Sequence, residues 1–241
     1  MPSAPSFSST LSSRVRYGMA RLMGRQGVRP RRYESVVQAV SECRAQRILE
    51  IGMYRGRRSL HMIEAAQRCY EATDIEYYGF DLFETFAPEV LASELSKKPL
   101  AIAQLQKMLD ATGAKVRLFK GFSQQTLPRF VEECLSKGMT LDLAFIDGGH
   151  QVDTIAQDWR NVSQLLRPGS VVLFDDYFSN TEAELECFGC QRVVDALDRT
   201  HYAVEVLGAE EYFRQASGLC LKIRVAKVTC LSLPSDKTTA A

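Results

Sequence analysis

The sequence predicts an α/β fold, with a mostly parallel, seven-stranded sheet covered by helices on both faces. Three observations support this prediction. Short apolar strands alternate with helical stretches, a glycine turn joins the first strand to the next helix, and acids stand where several strands end. Because the carboxyl ends of parallel strands share one edge of a sheet, we expect a ligand to bind at that edge.

The first three strands are each recognised by a different feature. The first is a short apolar run preceded by a helix over 33–43, the second ends in an acid, and the third alternates apolar and polar residues. Residues 89–112 have a helical pattern and could form an insertion over the substrate. These strands are predicted at 47–51, 76–81 and 115–120.

The remaining four strands follow with helices between them. A helix over 152–166, which contains Trp159, connects the fourth strand to the fifth, and a helix over 191–198 follows the fifth. The alternation of strand and helix indicates parallel crossovers. These strands are predicted at 141–147, 170–176, 203–207 and 219–226.

The length and charge distribution suggest how the chain is divided. Its 241 residues, 46% of them apolar, suit one α/β domain. The net charge is +1, yet the first 48 residues hold nine arginines, no lysine and two glutamates. We therefore predict a basic N-terminal arm over 1–32, a domain over 33–230 and a disordered tail over 231–241. The arm fits a lid helix, a targeting peptide or a partly disordered, solvated segment.

Several protein classes are disfavoured by composition. No apolar run reaches the roughly 18–20 residues that a membrane helix needs. Tyr17 is the one aromatic residue among the arginines of the basic arm, and this low aromatic content argues against nucleic-acid binding. The seven cysteines are scattered and odd in number, which favours reduced thiols and a cytoplasmic location.

The stretch from Glu50 to Gly56 is the predicted ligand-binding turn. A strand, a glycine turn and a helix start present free backbone N–H groups at the sheet edge. A dinucleotide turn needs Gly-x-Gly-x-x-Gly, and Tyr54 occupies its second glycine position, which disfavours a diphosphate. Asp81 ends the second strand, where it could accept hydrogen bonds from ribose hydroxyls or simply cap the strand.

Three further acids end the fourth and fifth strands. Asp147 follows the fourth strand, and Asp175 and Asp176 end the fifth. Neighbouring strands lie about 4.8 Å apart, so these carboxylates are expected to converge and repel one another. Mg²⁺ would relieve the repulsion, since it prefers carboxylates together with water or substrate oxygens. The alternative is that Asp175 or Asp176 caps the following loop.

These motifs resemble those of a known enzyme family. The turn from Glu50 to Gly56 resembles the first motif of class I S-adenosylmethionine (SAM) methyltransferases. Gly121-Phe-Ser-Gln124 resembles the Gly-Ala-Ser-Gln of the catechol and caffeoyl-CoA type of metal-dependent O-methyltransferase, and Asp175-Asp176 resembles their Asp-Asn metal pair. Residues 79–84 and 146–150 are closer to the bacterial macrocin and cephalosporin type.

The resemblance implies a Rossmann-like SAM methyltransferase fold for the domain and a role for each matching residue. In the catechol enzymes the Ser and Gln lie beside the adenine, and the Asp that ends the fourth strand binds the metal. The metal ligands implied are Asp147, Asp175 and Asp176. The residues expected to bind SAM are Glu50, Gly52, Met53, Tyr54, Gly56, Asp81, Ser123, Gln124 and Asp147.

His150 is the candidate general base. The catechol enzymes carry a Lys three residues after the metal-binding Asp, and this chain has His150 there. A neutral histidine can accept a proton near neutral pH. We therefore predict His150 and Asp147 as the catalytic residues, while a His that only bonds the loop backbone remains the alternative.

The sequence thus predicts a Mg²⁺-dependent SAM O-methyltransferase. Its acceptor would be a hydroxyl of a small molecule such as a sugar, a phenol or a natural-product intermediate. The alternatives are a metal-independent N- or carboxyl-methyltransferase and a non-catalytic SAM-fold binding subunit. We expect no nucleic-acid or membrane partner, and a homodimer is one option for the oligomeric state.

Overall fold

The structure is a computed structural model that describes residues 32–85, 99–178, 187–208, 211–214 and 220–233. The predicted arm up to residue 31, the first part of the predicted insertion and the tail from residue 234 lie outside these ranges. Arg32, which the sequence analysis assigned to the arm, is the first residue of a helix and is buried.

The described residues form six α-helices, three short 3-10 helices and eight strands, and the α-helices and strands are numbered here in chain order. The helices are α1 (Arg32–Glu42), α2 (Arg57–Ala66), α3 (Ile102–Asp110), α4 (Ser123–Ser136), α5 (Val152–Val162) and α6 (Gln191–Asp195). The strands are β1 (Arg47–Ile51), β2 (Glu76–Asp81), β3 (Lys115–Lys120), β4 (Leu143–Ile146), β5 (Val171–Phe178), β6 (Tyr202–Val206), β7 (Glu211–Arg214) and β8 (Cys220–Cys230).

All eight strands belong to one sheet. Seven of them follow the order β3-β2-β1-β4-β5-β8-β6, and β7 pairs with β8 beside this path. Strands β1 to β5 pair in parallel, whereas β8 is antiparallel to β5, β6 and β7. The predicted Rossmann-like, mostly parallel seven-stranded fold is confirmed. Strand β7 is not predicted by the sequence pattern, and β8 continues to Cys230, beyond the predicted end of the last strand at Ala226.

Two apolar layers cover the sheet, one on each face. Leu49 and Ile51 of β1 face the layer that includes α4, α5 and α6, whereas Ile48 faces the layer that includes α1, α2 and α3. Because both faces are covered, the central strands β1, β4 and β5 are buried along almost their whole length rather than at alternate residues. No helix among the described residues is long and apolar enough to span a membrane.

Strand β5 contains an irregularity where its acids lie. Phe174 pairs with Ala226 and Tyr177 pairs with Arg224, so β5 holds one residue more than β8 between these pairs. Asp176 has a φ of 56°, a left-handed conformation that Asp and Asn adopt more readily than most residues. A regular strand would send Asp175 and Asp176 to opposite faces, but the bulge lets both carboxylates contact the same side chain, Arg32.

Candidate active site

The glycines of the turn after β1 are required by the packing of the protein itself. At Gly52, with a φ of 89°, a Cβ would lie 1.9 Å from the backbone oxygen of Asp147. At Gly56, with a φ of 67°, it would lie 2.2 Å from Leu105 Cδ2. The turn is held tightly against the end of β4 and against α3.

Asp81 holds the same turn from the side of β2. Its Oδ2 accepts hydrogen bonds from the backbone N–H groups of Met53 at 2.8 Å and Tyr54 at 2.9 Å. Its Oδ1 accepts one from the N–H of Phe83 at 3.1 Å. A carboxylate has about four acceptor positions. One therefore remains for a ribose hydroxyl, while the other three fix the turn.

Glu50 lies beneath the site rather than on its surface. It is fully buried, and its Oε2 accepts hydrogen bonds from the Ser59 hydroxyl and, at 2.5 Å, from the Tyr77 hydroxyl. Burial raises its pKa, while Arg58, Ser59 and Tyr77 act in the opposite direction. Glu50 was expected to contact SAM directly. No part of the residue is exposed in this structure, so a ligand cannot reach it.

Arg58 connects Glu50 with the end of β4. Its Nε lies 4.0 Å from Glu50 Oε1, and its Nη2 forms a short ion pair with Asp147. The Arg58 side chain is 19% exposed, so it covers Glu50 and partly faces the site. Sequence reasoning missed this residue. The sequence feature that could have identified it is the pair of arginines, Arg57-Arg58, at the start of the helix directly after the glycine turn.

Asp175 and Asp176 contact the start of α1. Arg32 Nη1 lies 2.8 Å from Asp175 Oδ1 and 3.1 Å from Asp176 Oδ1. The first of these contacts is ionic rather than an aligned hydrogen bond. The Tyr33 hydroxyl donates to Asp175 Oδ2 at 2.9 Å. From the sequence, these carboxylates were expected to repel one another with no cation of the protein beside them. In the structure, arginines from two helices pair with them.

Three side chains form a group that could hold a metal ion. One ligand atom each from Asp147, His150 and Asp176 lies within 4.8 Å of the other two. Asp175, the third ligand expected from the sequence, is not in this group, and its carboxylate contacts Arg32 and Tyr33. His150 takes its place, with Nε2 2.9 Å from Asp176 Oδ2. The structure thus brings together two of the three predicted ligands and the predicted base.

The three acids differ in how readily they carry charge. Burial raises the pKa of Asp175, and the charge of Asp176 adds to this effect. Burial also raises the pKa of Asp147, against the opposing effect of Arg58. At Asp176 burial is outweighed by His150 and Arg32, which together lower its pKa. Negative charge is therefore most favourable on Asp176, the carboxylate that contacts His150.

Ser123 and Gln124 begin α4 at the same edge of the sheet. They follow Gly121, whose N–H donates to the backbone oxygen of Asp81 at 3.0 Å. Both side chains are half-buried. Within the described residues neither makes a side-chain hydrogen bond, so their polar groups are available to a ligand.

Comparison with known proteins assigns this chain to a family. Residues 49–177 match a family model described as a methyltransferase domain. The match covers more than half of the chain, so the protein belongs to this family. No match was found among curated proteins.

Solved structures of methyltransferases have the same fold. An O-methyltransferase from Bacillus cereus in complex with SAH is 16% identical, with a TM-score of 0.54 and coverage of 93% of this chain and 92% of that one. The O-methyltransferase TomG from Streptomyces achromogenes, in complex with SAM, is 15% identical, with a TM-score of 0.55 and coverage of 93% and 91%. A putative rRNA-methylase from Clostridium thermocellum is 13% identical, with a TM-score of 0.54 and coverage of 84% and 99%.

At such identities the likeness establishes the fold and not the substrate. Together with the family match, it makes the chain a methyltransferase with the same fold as these SAH- and SAM-bound enzymes. This confirms the family that the sequence motifs indicated.

Proposed function

We propose that this protein is an O-methyltransferase that transfers the methyl group of SAM to a hydroxyl of a small molecule, with the help of Mg²⁺. The observation that carries the proposal is the group formed by Asp147, His150 and Asp176 at the sheet edge. It combines two carboxylates that suit a hard cation with a histidine that can take a proton. The turn that follows β1 lies at the same edge, since Gly52 contacts the backbone of Asp147.

The cofactor would lie across the carboxyl ends of β1, β2 and β3. Asp81 has an acceptor position left for a ribose hydroxyl, and the half-buried Ser123 and Gln124 can bond the adenine. Tyr54 would support it from the turn, which Asp81 holds in place, whereas Met53 is 1% exposed and packs against Gly79 of β2. Such fixed positioning is the main contribution a protein can make to an in-line methyl transfer.

His150 would accept the proton of the substrate hydroxyl. The Asp176 carboxylate contacts its Nε2 at 2.9 Å, and it would orient the ring and stabilise the imidazolium that forms. His150 is 25% exposed, so a substrate can reach it. The buried negative charge of Asp176 thus supports the proposed base directly.

The charge balance around the site favours a divalent cation. The three buried carboxylates of Glu50, Asp175 and Asp176 and the half-buried carboxylate of Asp147 face the two guanidinium groups of Arg32 and Arg58. Among the described residues, this group of side chains thus has two more anionic than cationic members when all the acids are ionised. Asp147 and Asp176 would hold the ion, which would lower the pKa of a bound hydroxyl. Two protein carboxylates and substrate or water oxygens are a usual Mg²⁺ environment.

The test is a methyl-transfer assay with labelled SAM and a panel of catechols, sugars and hydroxylated natural products. Each reaction is run with Mg²⁺ and with EDTA. We expect transfer to at least one hydroxylated acceptor, and little transfer in EDTA. Transfer to amines or carboxylates alone, unaffected by EDTA, would contradict the proposal.

One observation favours a second candidate, a methyltransferase that needs no metal. Arg58 already pairs with Asp147, and Arg32 already pairs with Asp175 and Asp176. If these arginines supply enough positive charge, His150 and Asp176 could remove a proton unaided. Full activity in EDTA with a hydroxylated acceptor, lost in His150→Gln, would support this candidate over the first.

A further inference from the structure

We propose that Arg32 and Tyr33 are positioning residues of the active site, and that Asp175 is their anchor rather than a metal ligand. The proposal rests on the proposed function only where it concerns the metal. Its core is a buried network between the start of α1 and the end of β5, and this network can be tested without metal or substrate.

One nitrogen of Arg32 bridges the two neighbouring acids. Nη1 lies 2.8 Å from Asp175 Oδ1 and 3.1 Å from Asp176 Oδ1. The side chains of Arg32 and Asp175 are only 9% and 2% exposed. Two adjacent buried carboxylates without a cation would be costly, because each disfavours the charge of the other. Arg32 supplies this cation from within the chain.

Tyr33 completes the anchor. Its hydroxyl donates to Asp175 Oδ2 at 2.9 Å and accepts from Arg32 Nη2 at 2.6 Å. The guanidinium carbons of Arg32 and Arg58 lie 4.5 and 4.4 Å from the centre of its ring. Tyr33 therefore joins the cation that contacts Asp175 to the cation that contacts Asp147. Both oxygens of Asp175 contact this network and its side chain is only 2% exposed, whereas the side chain of Asp176 is 12% exposed and reaches His150.

The anchor also sets the orientation of Asp176. Its Oδ1 contacts Arg32, and its Oδ2 contacts Nε2 of His150. Arg32 thus restricts the carboxylate that orients the proposed base, although Arg32 itself need not touch a substrate. Loss of Arg32 should therefore lower kcat, while KM for SAM, whose predicted contacts lie at β1, β2 and β3, should change less than twofold.

A double-mutant cycle in EDTA tests the anchor. We would measure Tm for the wild type, Arg32→Gln, Asp175→Asn and the double variant. Breaking a buried pair should lower Tm by roughly 6–15 °C in each single variant. Because both changes break the same pair, the double variant should melt within about 3 °C of the less stable single variant. Additive losses, or a rise in Tm for Asp175→Asn, would overturn the proposal.

Two milder variants and one control guard against variants that fail to fold. Tyr33→Phe removes only the hydroxyl, and we expect a drop of about 2–8 °C. Arg32→Lys keeps the charge, and it should recover part of the kcat lost in Arg32→Gln. Arg47→Gln breaks the more exposed Arg47–Glu76 pair and should change Tm by less than about 3 °C. A Tyr33→Phe protein as stable as wild type would count against the anchor.

Mg²⁺ alone, titrated while Tm is followed, tests the reassignment of Asp175. Asp175→Asn should keep the Mg²⁺-induced rise in Tm of the wild type, and Asp147→Asn should lose it. Loss of the rise in Asp175→Asn would mean that Asp175 is a ligand, and the reassignment would be wrong. If the wild type itself shows no rise, the metal part of the proposed function fails, and the cycle in EDTA alone decides on the anchor.

Discussion

Gly52 and Asp147 are in direct backbone contact, since a Cβ on residue 52 would lie 1.9 Å from the carbonyl oxygen of Asp147. The predicted cofactor turn and the predicted metal-binding loop are therefore fixed relative to each other. A change at either residue should affect both.

This contact predicts a large effect of Gly52→Ala on stability. The variant combines a left-handed φ of 89° with a backbone clash, so we expect a loss of more than about 3 kcal/mol. Gly138→Ala is the matched control, because Gly138 has a φ of 63° and nothing within 4 Å of its added Cβ. It should cost only about 1 kcal/mol. Urea unfolding of both variants measures the difference, and equal losses would show that the contact is unimportant.

Tyr77 should stabilise the fold through Glu50. Tyr77→Phe leaves the buried Glu50 carboxylate without one of its two hydroxyl donors, at a cost of about 1–3 kcal/mol. Tyr70→Phe removes a hydroxyl that bonds the backbone of Arg44 at an exposed position, and it should cost less than about 1 kcal/mol. Denaturant midpoints at pH 7 compare the two. A Tyr77→Phe protein no less stable than Tyr70→Phe would contradict the assignment.

SAM affinity should depend on Asp81. In Asp81→Asn an amide group replaces one oxygen that accepts backbone N–H groups, so the turn loosens and the ribose loses an acceptor. We expect the Kd for SAM to rise roughly 10–100-fold. Titration calorimetry with SAM measures this, with Asp74→Asn, at the end of the short helix before β2, as the control. Unchanged affinity in Asp81→Asn would remove Asp81 from the cofactor site.

His150 should be needed for catalysis but not for SAM binding. His150→Gln should lower kcat by about 10²–10⁴-fold, which is typical for loss of a general base. His201→Gln is the control, because His201 lies near the surface beside Ser232. Single-turnover methyl transfer separates chemistry from binding. A rate within threefold of wild type for His150→Gln would exclude it as the base.

Acid stability should depend on Glu84. Its carboxylate accepts hydrogen bonds from Lys120 and from the N–H of Ile102, the first residue of α3, and these lower its pKa from 4.5 to about 2. Because the folded-state pKa is lowered, the stabilisation is complete above pH 4.5 and is lost as the pH falls towards 2. Glu84→Gln should therefore be less stable than the wild type at pH 6, but its stability should fall by less as the pH is lowered. Thermal melts between pH 6 and 3 test this, with Glu132→Gln as the control.

The sequence predicted the position of the site on the sheet better than the pairing of the side chains within it. Strand ends follow from apolar runs, so the edge that carries Asp81, Asp147 and Asp176 could be located without a structure. The pairing of Arg32 with Asp175 could not, because it joins residues far apart in the chain and depends on a bulge in β5. No local sequence pattern predicts such a bulge. The burial of Glu50 could not be predicted either, because its motif indicated a residue in contact with the cofactor.

The reach of Arg32 across the chain has a consequence for biosynthesis. Arg32 leaves the ribosome well before Asp175 and Asp176, its partners at the end of β5. At about 5–20 residues per second, the delay is of the order of ten seconds. During that interval the first helix carries a guanidinium group that has not yet met these carboxylates. The start of α1 can therefore reach its final position only after the fifth strand has been translated, so the amino-terminal end of the domain completes its folding late.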